Sequence, residues 1–65
     1  MRGYMEELEN VLTDFIGEPV TYQGEDKHAV YFIGESGNEY KLRIDTEEEA
    51  LYEREHGKED WQIVF

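Results

Sequence analysis

The sequence predicts an α+β domain in the order α-β-β-β-α-β: an antiparallel sheet of three or four strands with the N-terminal helix packed on one face. Three observations predict it. Apolar residues recur at steps of three and four up to Ile16, they alternate or run together in short blocks between Val20 and Asp45, and turn formers separate those blocks. All 65 residues are expected to form one domain. A chain of this size buries only about 60% of the surface its unfolded form exposes. The core must therefore draw on the nine aromatic residues, three Phe, five Tyr and one Trp, because aromatic side chains bury the most area each.

In the first helix, Met1, Tyr4, Met5, Leu8, Val11, Leu12, Phe15 and Ile16 form one apolar stripe, and Glu6, Glu9, Asn10, Thr13 and Asp14 fall on the opposite face. Gly17 stands where a left-handed C-terminal cap belongs, and Pro19 prevents continuation. Val20 and Tyr22 then alternate with Thr21 and Gln23 in a first strand, and Gly24–Lys27 reads as a turn. His28–Ile33 is apolar on both parities, as expected of a central strand with neighbours on both edges. Gly34–Asn38 is a second turn. In Glu39–Asp45, Tyr40, Leu42 and Ile44 are expected to face inward, and Lys41 and Arg43 outward.

A second helix is expected from Thr46. Thr46 with Glu49 has the spacing of a capping box, Glu47 and Glu48 suit the positive end of a helix, and Gly57 is a natural stop. Its apolar residues are few, chiefly Ala50 and Leu51 with Tyr52 beside them, so it should lie on the surface. Asp60–Phe65 reads as a last strand with Trp61, Ile63 and Phe65 on one parity; either edge of the sheet is open to it.

Nothing in the chain points to chemistry. There is no cysteine, hence no disulfide or thiolate metal site. His28 and His56 lack zinc spacing, and Asp45–Gly57 lacks the alternation and the central glycine of an EF-hand loop. The glycines fall in turns or at helix ends and make no phosphate-cradling loop. We expect no enzyme activity, no cofactor and no metal. The N-terminal twelve residues hold no continuous apolar run, and no segment approaches the ~20 apolar residues of a membrane span. A soluble, cytoplasmic protein is expected.

The charge is the one functional lead. Seventeen acidic residues face six basic ones, for a net charge of −11, beyond the magnitude of about 2–8 that suits a small soluble domain. Like charges four apart on a helix destabilise it, yet Glu49–Glu53 and Glu55–Glu59 have that spacing. Rows of acids on a rigid body imitate a phosphate backbone. The expected function is therefore to inhibit or mask a basic nucleic-acid-binding protein, with Glu47, Glu48, Glu49, Glu53 and Glu55 as its contacts. Glu25, Asp26, Glu6, Glu9 and Asp14 are secondary candidates. Nucleic acid itself and anionic membranes would be repelled. In size and charge the chain is similar to the small acidic anti-CRISPR and anti-restriction inhibitors of phages; the similarity is one of composition. The alternative is a general interaction module (adaptor, antitoxin-like partner or small subunit) that binds through a sheet edge or an aromatic patch around Tyr31 and Trp61, with self-association through the last strand.

Overall fold

The computed structural model describes residues 3–45 and 50–64. The elements are α1 (Gly3–Ile16), β1 (Val20–Glu25), β2 (Ala29–Gly34), β3 (Glu39–Arg43), β4 (Ala50–Arg54) and β5 (Gln62–Ile63). The strands pair antiparallel in chain order, β1-β2-β3-β4-β5. The α+β class stands, with the expected meander of the first three strands and one described helix. The sheet has five described strands where three or four were expected, because the segment from Ala50 is a strand.

That segment is the principal correction. Ala50–Arg54 pairs with β3, and Leu51 lies opposite Leu42. Helix propensity is worth only tenths of a kcal/mol per residue and yields to tertiary contacts. Here the strand fully buries Leu51 and pairs the outer edge of β3, whose backbone groups would otherwise lack partners. The expected cap at Thr46 and Glu49, and with it Glu47 and Glu48, lies outside the described residues. Gly57 does not end a helix. It has φ +84° in the turn between β4 and β5, and His56 sits in the same turn. The last strand is shorter than expected, lies beside β4, and leaves Ile63 66% exposed.

The core is Leu12, Val20, Val30, Phe32, Tyr40, Leu42 and Leu51, with Leu8, Ile16 and Tyr22 packed against it. The buried face of α1 is narrower than the apolar stripe and rotated from it. Val11 and Phe15 are exposed, while Glu9 and Thr13, expected on the outer face, turn toward β1. The Val20 amide donates to Thr13 Oγ1 at 3.2 Å and the Tyr22 amide donates to Glu9 Oε2 at 2.7 Å. β1 is an edge strand, and these two amides point away from β2, so the helix side chains occupy the edge another strand would otherwise pair with. Gly17 caps α1 as expected, with φ +94° and its amide donating to Thr13 O at 2.9 Å.

Glu18 ties the helix end to the β2–β3 hairpin. It accepts from the Ser36 amide and hydroxyl, each at 2.9 Å, and from Tyr40 Oη at 3.1 Å. Gly34 makes this possible, since a Cβ there would stand 2.8 Å from Glu18 Oε2. The β1–β2 turn is held by Asp26, whose Oδ1 accepts from the His28 and Ala29 amides. The ladder register shifts between Tyr22 and Gly24, a β-bulge. Ile44, expected inward, is 48% exposed beyond the end of β3.

Candidate functional site

With β4 in the sheet, there is no described second helix to lie on the sheet face opposite α1. Strand alternation decides what that face carries. Tyr31, Lys41, Tyr52 and Ile63 are successive cross-strand partners on β2, β3, β4 and β5. On one side of this row stand Ala29, Arg43 and Ala50, and on the other Ile33, Glu39 and Arg54. Trp61 is two residues before Ile63 and completes an aromatic and cationic surface.

Two of the three cations, Lys41 and Arg54, lie on the rings. Lys41 Nζ is 4.5 Å from the Trp61 ring centroid and 5.3 Å from that of Tyr52, and the Arg54 guanidinium is 4.8 Å from Trp61. These are cation–π distances. Two of the three are paired with carboxylates. Arg54 Nε donates to Glu39 Oε1 at 2.8 Å, and Arg43 Nε and Nη2 donate to Asp45 at 3.0 and 3.1 Å. Lys41 takes part in none of the ion pairs between described residues. Asp45 also lies 3.0 Å from His28 Nδ1. The hydrogen bonds from His28 and then Arg43 hold its carboxyl below the ordinary value, and Asp45 in turn raises Arg43. At the other end of the face, Tyr31 Oη donates to Asp26 Oδ2 at 2.9 Å. That bond raises the phenol, while Asp26 is lowered, first by the His28 amide. A cavity of about 580 Å³ opens on this face, with Tyr31, Tyr52 and Trp61 as aromatic walls, Lys41, Arg43 and His28 as its nitrogen-bearing groups and Asp45 as its carboxylate.

The acids singled out in the sequence are distributed differently. Glu6 and Asp14 are exposed on α1, whereas Glu9 is half-buried against β1. Glu25 is exposed and accepts from Tyr22 Oη at 3.0 Å, and Asp26 holds the turn described above. Glu53 is on a strand, so a spacing of four no longer makes it a helical neighbour of any acid. It lies opposite Tyr40, whose hydroxyl is raised first by burial and then by the nearby carboxylates of Glu53 and Glu18. Glu55 lines a shallow pocket of about 200 Å³ with Glu59, Asp60 and Lys58. Glu47, Glu48 and Glu49 lie outside the described residues. The structure thus gathers Glu55 with Glu59, read in the sequence only as its like-charge neighbour, and with Asp60, which was not singled out, and it does not bring the remaining described candidates into one row.

Lys41, Arg43 and Arg54 were also missed as site residues. Their outward parity in the strands is the signal that places them together, and it has meaning only once β4 is known to be a strand. Among the described residues no group of three or more His, Cys, Asp or Glu is arranged to hold a metal ion, and no helix is long and apolar enough to cross a membrane. Compared with known protein families, curated proteins and solved structures, the chain has no significant match in any of the three.

Proposed function

We propose that this chain is a non-enzymatic binding protein that engages a basic partner through its acidic surface and thereby masks a nucleic-acid-binding site. The observation that carries this is the segregation of charge. Lys41, Arg43 and Arg54 stand together on the open sheet face. Two of these are paired there with Glu39 and Asp45, and elsewhere the described residues offer only Lys27 and Lys58 against the acids of α1, β1, β4 and the turns. The surface away from that face is therefore more acidic than the net charge of −11 implies. Such a field raises the on-rate of a cationic partner and repels nucleic acid. The pocket at Glu55, Glu59 and Asp60 fits a partner's Lys or Arg head.

The test is a pull-down at low salt, followed by competition. A captured basic protein should lose nucleic-acid binding as this chain is added, and the complex should weaken at least about tenfold between about 0.1 and about 0.5 M salt. Charge reversal by Glu48→Lys with Glu49→Lys, or by Glu55→Lys with Glu59→Lys, should weaken it further. A salt-insensitive complex, or one indifferent to both reversals, would falsify the masking reading.

A second reading is favoured by the uncovered aromatic face. As an adaptor, antitoxin-like partner or small subunit, the chain would dock a protein on Tyr31, Tyr52 and Trp61. In that case Trp61→Ala in a folded variant should weaken the complex more than either charge reversal does.

A further inference from the structure

We propose that the open sheet face is a binding site for a small planar anion of mononucleotide size, an aromatic ring carrying a phosphate. This goes beyond the masking reading and does not depend on it. Four observations converge on it. The cavity of about 580 Å³ lies within the ~300–1,000 Å³ typical of small-ligand sites. Its walls are the rings of Tyr31, Tyr52 and Trp61; Lys41 and Arg54 already lie on Trp61, so the ring on which a base would stack is Tyr31. At its centre is Lys41, flanked by Tyr31 and Tyr52 on the neighbouring strands. The charge of Lys41 is matched by no described carboxylate. Beside it stands Arg43, which gives Nε and Nη2 to Asp45 and also interacts with Tyr52, so it adds positive charge beside the site and Lys41 is the anchor.

The charge pattern also selects the size of the ligand. A cationic ligand would meet Lys41 and Arg54 already lying on Trp61. A polyanion would extend past this face into the field of a chain carrying −11. Asp45 also lines the cavity, its carboxylate engaged by Arg43 and His28, and a single phosphate held at Lys41 is screened from the more distant acids over about 8 Å at physiological ionic strength. The site therefore discriminates against polymers while accepting a monomer.

Trp61 is the only tryptophan, so its fluorescence reports the site directly. The experiment titrates the intact chain with adenosine 5′-monophosphate at about 0.15 M NaCl, with adenosine and inorganic phosphate as the ring-only and charge-only controls. The expected result is a saturable change in Trp61 emission with the nucleotide, and binding at least about tenfold weaker for either control. Lys41→Gln should weaken nucleotide binding about tenfold in a variant whose circular dichroism spectrum shows it folded. Should that variant not fold, Lys41→Met keeps the aliphatic stem over the rings and carries the same expectation. No saturable change at millimolar nucleotide, equal binding of adenosine, or undiminished binding in the folded Lys41 variant would each overturn the proposal. No protein partner enters the experiment, so its failure leaves the masking reading standing, and failure of the pull-down leaves this site standing.

Discussion

Glu18 shows how one side chain sets a local geometry. Three donors converge on its carboxylate: the Ser36 amide, the Ser36 hydroxyl and the Tyr40 hydroxyl. They hold its pKa below the ordinary 4.5, the Ser36 amide contributing most. A carboxylate whose folded-state pKa is depressed stabilises the fold above its unfolded value and loses that contribution as pH falls through the folded value. Melting curves of the wild type should therefore drop as pH falls below about 4.5, and Glu18→Gln should flatten that part of the profile while lowering the melting temperature at pH 7. Asp26 and Asp45 are lowered as well and account for the acid sensitivity that remains in the variant. Tyr40→Phe tests the same junction from the other side. It removes a buried donor to Glu18 and should cost about 1 kcal/mol, read as a fall of about 5 °C in the melting temperature. An unchanged melt would show the Tyr40 bond to be energetically idle.

At the scale of elements, the strong apolar stripe and the weak one have fates the sequence did not suggest. Leu51, from the weakly apolar segment, is fully buried in the core, while Val11, on the stripe of the first helix, is 61% exposed. Leu51→Ala should cost about 2–5 kcal/mol, which is as much as a domain of this size is worth, so the variant should be largely unfolded at room temperature by circular dichroism. Val11→Ala should stay within about 0.5 kcal/mol of wild type in urea titration. The reverse order of effects would contradict the strand at Ala50–Arg54. The helix also protects an edge. Thr13→Val removes the acceptor for the Val20 amide and should cost about 1 kcal/mol. It should also speed hydrogen exchange at that amide.

For the whole molecule, the relevant quantity is self-repulsion. With a net charge of −11, the compact state gains from any ion that screens like charges. The melting temperature should rise by about 5 °C between low salt and about 0.5 M NaCl. The same salt should weaken the complex with a basic partner, so stability and binding are expected to move in opposite directions. That opposition separates a functional field from a merely structural one: Glu55→Lys with Glu59→Lys should make the fold less salt-dependent and the partner complex weaker together.

By itself, the sequence determined the α+β class, α1 and its Gly17 cap, the first three strands with their two turns, and the excess of negative charge. These follow from local periodicity, from the conformational demands of glycine and proline, and from composition, none of which requires a distant contact. Only the tertiary structure decided that Ala50–Arg54 pairs with β3, that Glu9 and Thr13 turn toward β1, and that no described helix covers the face carrying Lys41, Tyr52 and Trp61. For Ala50–Arg54, the local signals of helix propensity and charge were weak compared with burying Leu51 opposite Leu42 and pairing an otherwise open strand edge. The candidate site was illegible for the same reason. Its residues are scattered from His28 to Trp61 and become neighbours only when the strands take their places side by side.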